Sequence, residues 1–190
     1  MRRLYWTVSR RATPRWLGII AAAFLIAAVL NVGKPFGIAQ LNAITDDAGV
    51  LDEMSYSADE GYAVLKAQGE RGRAFYKRLL LTTELVFPLV YRGFSAVLIV
   101  YLFSRWWSPA SRWRLLALLP FAGMLADYAE NTLVLAMLFA YPKKLDGVAS
   151  MASAATRVKW ASNYVDWSLI VVGLIGVLVH AIIKRRRKTQ

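Results

Sequence analysis

Four apolar runs divide this chain, at 16–32, 79–104, 115–141 and 161–183. Each is long enough to cross a hydrocarbon core of about 30 Å at about 1.5 Å per residue, the first only just. A bilayer offers the backbone no hydrogen-bond partners, so each run is predicted to be a helix that satisfies its own amides. The fold class expected is all-α: a polytopic membrane protein, one domain over 1–190, with four transmembrane helices in a bundle. Segment 33–78 joins the first two spans and is too long for an ordinary connector. It carries a capping box, Ser57-x-x-Glu60, followed by the apolar face Tyr62, Val64 and Leu65 and by Gly69 as a natural C-cap. These signals predict a short surface helix near 58–68, packed on the outer mouth of the bundle.

Polar flanks orient the spans. Tail 1–15 carries Arg2, Arg3, Arg10, Arg11 and Arg15, loop 105–114 carries Arg105, Arg112 and Arg114, and tail 184–190 carries Lys184, Arg185, Arg186, Arg187 and Lys188. None of the three holds an acid, and they alternate correctly to share one side. By the excess of positive charge on cytoplasmic loops, that side is the cytoplasm, which puts both termini there and the chain in the inner membrane. Loop 142–160 fits less well, since Lys143, Lys144, Arg157 and Lys159 outnumber Asp146. Tyr5, Trp6, Trp16, Trp106, Trp107 and Trp113 fall at the expected cytoplasmic boundaries, where aromatic belts form. Basic residues before an apolar run also resemble a signal peptide, and Ser9-Arg10-Arg11 begins like a twin-arginine signal. No convincing small-residue cleavage motif follows, so the run reads as a retained first span.

The spans contain polar residues that lipid would not tolerate. An ionisable side chain at mid-membrane costs about 2.5–3.5 kcal/mol on insertion scales, so such groups turn toward protein or water. On the second span, Tyr76, Glu84, Phe87, Pro88 and Tyr91 form a stripe, with Arg92 beside it. Pro88 lacks the amide that would bond the Glu84 carbonyl, leaving that carbonyl open. On the third, Pro120, Gly123, Asp127, Glu130 and Asn131 form a stripe, and on the fourth Thr156, Lys159, Asn163 and Asp166 do. The alternating span directions put Glu84, Glu130 and Asp166 in the outer half of the membrane and Asp127 and Arg92 near its middle. Arg73, Tyr76 and Lys159 then lie near the outer surface. One outward-opening polar site between spans two, three and four accommodates Arg73, Tyr76, Glu84, Tyr91, Arg92, Asp127, Glu130, Asn131, Lys159 and Asp166. The first span, whose only strongly polar residue is the terminal Asn31, is expected to cover the site from the lipid side. Each of these groups taken singly could equally be a structural contact within the bundle.

Composition narrows the chemistry. A net charge of +12 would suggest nucleic acid in a soluble chain, but here it sits in clusters flanking apolar runs, and no nucleic-acid module is present. With no cysteine and His180 as the one histidine, disulfides, thiol nucleophiles, cysteine-ligated zinc or iron–sulfur clusters and a two-histidine haem site lack ligands. His180, beside the basic tail, reads as interfacial. No cofactor or protein partner is identified; the bilayer is the partner that the sequence implies.

The residues Gly69-x-x-Gly72-Arg73-x-x-Tyr76, Glu84-x-x-Phe87-Pro88-x-x-Tyr91, Asp127-x-x-Glu130-Asn131 and Thr156-x-x-Lys159-Trp160 together resemble a family of small four-helix bacterial membrane proteins of undefined function. The resemblance covers roughly 55–165, and Glu84 stands where the pattern has aspartate. It implies where a site lies and implies no reaction. Three functional readings follow. The first is a site for a cation, a proton or a polar lipid headgroup, with transport as its use. The second is a membrane-embedded lipid-modifying enzyme with Asp127 and Glu130 as acid and base and Arg73 or Lys159 holding a phosphate or carboxylate. The third is a small accessory subunit docked to a larger complex.

Overall fold

The computed structural model describes residues 2–106 and 112–186, those at 2–5 and 112–114 by backbone alone. Trp107 and residue 110 of the predicted cytoplasmic loop, and Arg187 and Lys188 of the tail, lie outside the described residues, as do the side chains of Arg2, Arg3, Tyr5, Arg112, Trp113 and Arg114.

The described residues form eight α-helices: α1 (Arg2–Arg11), α2 (Pro14–Val32), α3 (Ile38–Ile44), α4 (Ala58–Ala67), α5 (Gly69–Leu81), α6 (Thr83–Phe103), α7 (Leu119–Ala140) and α8 (Asp146–Arg186). A 3-10 segment, Arg112–Leu118, leads into α7. Three helices, α2, α6 and α8, are long and apolar enough to cross a membrane. The 22-residue α7 has the length, but Asp127, Glu130 and Asn131 crowd one of its turns and dilute its apolar character. Leu25, Val29, Leu89, Leu125, Phe139, Leu174 and Leu178 are each more than half exposed along these helices. Side chains of that size facing water would forfeit about 25 cal/mol for each Å² left uncovered, a cost that contact with lipid removes.

Local chemistry explains the helix ends. Thr13 caps α2 by accepting from Trp16 N at 3.4 Å, and Pro14 takes the first turn, where no donor is needed. Ser57 and Glu60 form the reciprocal capping box that starts α4. Gly69, with φ +62°, makes the left-handed step from α4 into α5.

The apolar runs misplace two boundaries. The run 79–104 is not one helix. It begins inside α5, and the chain breaks at Thr82, whose hydroxyl donates to the Arg78 carbonyl at 2.6 Å, before α6 starts at Thr83. The segment 142–160 is largely helix rather than loop, because α8 begins at Asp146 and continues for 41 residues through the fourth apolar run. At 1.5 Å per residue α8 is about 60 Å long, roughly twice the thickness of a bilayer core. Its first part is not an apolar run but a face of small residues, Ala149, Ala152, Ser153 and Thr156, all buried.

Helices α6, α7 and α8 pack against one another, α7 with α8 most extensively, and α2 packs chiefly on α6. At one end, α3, α4, α5 and the start of α8 build a cap with its own core, in which Leu41, Leu65, Leu79, Met137 and Ala152 are fully buried or nearly so. Cross-links within the cap are specific: Tyr62 Oη accepts from Leu145 N at 2.7 Å, Ser153 Oγ from Tyr56 N at 3.1 Å, and Tyr76 Oη from Leu51 N at 3.1 Å. A second cluster, built on Val8, Ile99, Val100, Phe103 and Ala117, closes the opposite end, where α1 lies against α6.

Candidate functional site

Below the cap, a cavity of about 360 Å³ is lined by residues from α2, the connector after α3, α5, α6, α7 and α8. The charged residues lining it are Asp52, Glu84, Asp127, Glu130 and Lys159. Helical spacing explains how three of them arrive together. Asp127 and Glu130 are three residues apart on α7 and point the same way, and Lys159 stands one turn from Thr156 and Asn163 on α8.

The cavity residues are tied to one another in two groups. Nearer the cap, Lys159 Nζ lies 2.5 Å from Glu130 Oε2 and also pairs with Asp52. The Thr156 hydroxyl is 2.7 Å from Glu130 Oε1, and Trp160 Nε1 donates to the Asp52 carbonyl at 3.1 Å. Deeper, the Tyr91 hydroxyl donates to Asp127 Oδ2 at 2.9 Å and lies 3.4 Å from Asn163 Oδ1. The Glu84 carbonyl, left open by Pro88, accepts from Asn131 Nδ2 at 3.4 Å. The Leu85 carbonyl accepts from the Tyr128 hydroxyl at 2.8 Å, so α7 supplies the donors for the proline-disrupted turn of α6.

Behind the cavity lies a separate ion pair. Arg92 is fully buried and donates from Nη1 to Asp166 Oδ2 at 2.6 Å, with Nη2 3.3 Å from the Lys159 carbonyl. Gly123 of α7 makes room for it: a β-carbon there would stand 2.5 Å from Arg92 Cζ. That contact gives the polar stripe of α7 a packing reason at Gly123. Tyr56, in the cap, has its phenol pushed up to about 12 by burial and by Glu130, so it stays neutral across the physiological range.

Seven of the ten residues anticipated for one site line this cavity: Tyr76, Glu84, Tyr91, Asp127, Glu130, Asn131 and Lys159. Three do not. Arg92 and Asp166 spend their charges on each other in the layer behind. Arg73 turns away, donating to the Leu65 carbonyl at 2.9 Å and lying over the Tyr141 ring at 4.0 Å. Two contributions escaped the sequence reading. Asp52 comes from a connector with no periodicity to mark it. The first long helix does more than cover the site, since Phe24, Asn31 and Val32 of α2 line the cavity. Asn31 was a visible clue, as a polar residue at the end of an apolar run, 2% exposed in the fold.

Among the described residues, no three acidic or histidine side chains converge closely enough to hold a metal ion. No family model, curated protein or solved structure matches this chain.

Proposed function

We propose that this chain is a four-span protein of the inner membrane, with α2, α6, α7 and the apolar part of α8 crossing and both termini in the cytoplasm. Its function is to bind a cationic or polar group in the acidic cavity, which then opens toward the outer face. The observation that carries this reading is the cavity's charge. Four carboxylates line it against one ammonium, in a region where uncompensated charge is costly. Purely structural polar contacts would be expected to balance, as Arg92 and Asp166 do behind it. The resemblance to small four-helix bacterial membrane proteins agrees with the span count and with the location. The lipid-modifying alternative keeps only Lys159 to hold a phosphate or carboxylate, because Arg73 faces the Tyr141 ring instead of the cavity, and Lys159 is already paired with Glu130 and Asp52.

Orientation has a direct test, since the chain has no native cysteine. A cysteine introduced at Glu53 is expected to react with a membrane-impermeant maleimide added to intact cells, and one introduced at Ala110 is not. Labelling at Ala110 from outside would reverse the orientation.

Binding is tested by mass spectrometry of metals and lipids carried by the purified protein. Asp127→Asn and Glu84→Gln keep side-chain shape and remove charge. Both are expected to lose the bound species by about tenfold or more, the worth of one charge-assisted hydrogen bond, while the protein remains folded and inserted. Unchanged occupancy in both variants and in Glu130→Gln would sink the reading.

A further inference from the structure

The cavity's walls say more than that it is acidic. Of its carboxylates, Glu130 and Asp52 share Lys159, whereas Glu84 and Asp127 form no ion pair among the described residues. Phe24, Phe87 and Tyr91 line the same cavity, with Phe24 and Phe87 centroids 6.3 Å apart and Phe87 and Tyr91 5.1 Å apart, and the Arg92 guanidinium already lies 4.7 Å from the Tyr91 centroid. Carboxylates combined with aromatic faces suit an organic ammonium, which is attracted by both charge and ring quadrupole. A hard metal ion would instead require several oxygens converging on one point, which these do not do.

Asn31 supplies an independent sign of a ligand. It is 2% exposed and lines the cavity close to the Glu84 carboxylate, yet among the described residues its Nδ2 has no partner at full hydrogen-bond distance and angle. A buried amide donor without a partner is costly, and a ligand oxygen beside the ammonium would satisfy it. The cavity's size fits a small organic group, lying at the low end of the range of about 300–1,000 Å³ typical of ligand pockets. Finally, Val32 and Trp167 line the cavity while remaining 57% and 54% exposed on the apolar flanks of α2 and α8. The cavity therefore reaches the surface that meets lipid.

We infer that the ligand is an amine-bearing amphiphile. Its ammonium sits between Glu84, Asp127 and the aromatic rings, an oxygen close to that ammonium accepts from Asn31, and its chain leaves past Trp167 into the bilayer. This rests on the acidic cavity being a binding site, and adds the class of ligand.

The test uses the full chain in maltoside micelles, with binding followed by titration calorimetry and native mass spectrometry. Three probes separate the features: N-dodecylethanolamine carries charge, oxygen and chain, N-dodecanoylethanolamine lacks the charge, and ethanolamine lacks the chain. The expected result is saturable one-to-one binding of N-dodecylethanolamine, at least about tenfold tighter than either other probe. Asp127→Asn and Glu84→Gln are expected to remove most of that preference for the charged probe. Trp167→Ala, at an exposed position that does not endanger folding, is expected to weaken N-dodecylethanolamine and leave ethanolamine unaffected. Equal binding of the charged and uncharged amphiphiles would overturn the ammonium. Equal binding of ethanolamine and its dodecyl form would overturn the amphiphile, and point to a soluble amine as the source. Binding of sodium or calcium that Asp127→Asn abolishes, with no amine bound, would overturn this inference and leave the acidic site standing. No binding of amine or metal by the wild-type chain would defeat both.

Discussion

Arg92→Met is expected to destabilise the protein by about 3–5 kcal/mol, the usual cost of removing one partner from a buried ion pair. Arg92 has no exposed surface, and the side chain of Asp166 is 3% exposed, so neither solvent nor lipid headgroups can replace the lost charge. The substitution strips Asp166 Oδ2 of its donor and leaves a carboxylate whose Oδ1 has none among the described residues. It also removes the Nη2 contact to the Lys159 carbonyl, on the turn of α8 that carries the cavity's ammonium. The attraction is largely a repayment for burying two charges, so removing both should cost much less than removing one. Arg92→Met/Asp166→Asn is therefore expected to recover most of the lost stability. The measurement is a double-mutant cycle on thermal or denaturant unfolding in micelles. Additive single and double effects would show that the pair is not coupled.

Lys159→Met is expected to fall in the same range, about 3–5 kcal/mol, for a different reason. Lys159 is the cavity's one ammonium and serves two carboxylates of unequal burial. The side chain of Glu130 is 2% exposed and that of Asp52 is 44% exposed. Without Lys159, Glu130 keeps only the Thr156 hydroxyl, whereas Asp52 can be hydrated. The loss should therefore be carried by Glu130. Lys159→Met/Glu130→Gln is expected to restore most of it, and Asp52→Asn alone should cost less than about 1 kcal/mol, as a solvent-screened partner would. If Asp52→Asn instead proves as damaging as Lys159→Met, the ammonium acts mainly to hold the connector over the cavity. These two experiments bear on the binding question as well. They separate the charges that hold the helices together from Glu84 and Asp127, which form no ion pair among the described residues.

The pattern along the chain disclosed elements where the physics is local. Apolar runs coincide with α2, α6 and the second part of α8 because burial in hydrocarbon demands a continuous apolar surface and an internally bonded backbone. The α4 start was legible at Ser57 and Glu60 because a capping box spans only four residues. The carboxylates of α6 and α7 stood out because an acid within an apolar helix needs a reason, and helical spacing set their common faces. Pro88 even announced the open carbonyl that Asn131 approaches.

Tertiary structure alone decided which charges meet. Arg92 could have faced Asp127 or Glu130, but Gly123 leaves a space beside α7 that the guanidinium fills, and from there it reaches Asp166 on α8. Arg73 was one of several candidates for the site and was captured by a carbonyl eight residues away and by the Tyr141 ring. Asp52 enters the cavity across 107 residues of sequence to meet Lys159, with no local signal in its connector. The cap also determined the length of α8, since Ala149, Ala152 and Ser153 are too small and mixed to form an apolar run, yet are buried once the cap lies on them. Hydrophobic periodicity is imposed by the solvent around each helix and is written residue by residue. Ion pairing depends on separations of a few ångströms between distant segments, and only the packed fold sets those.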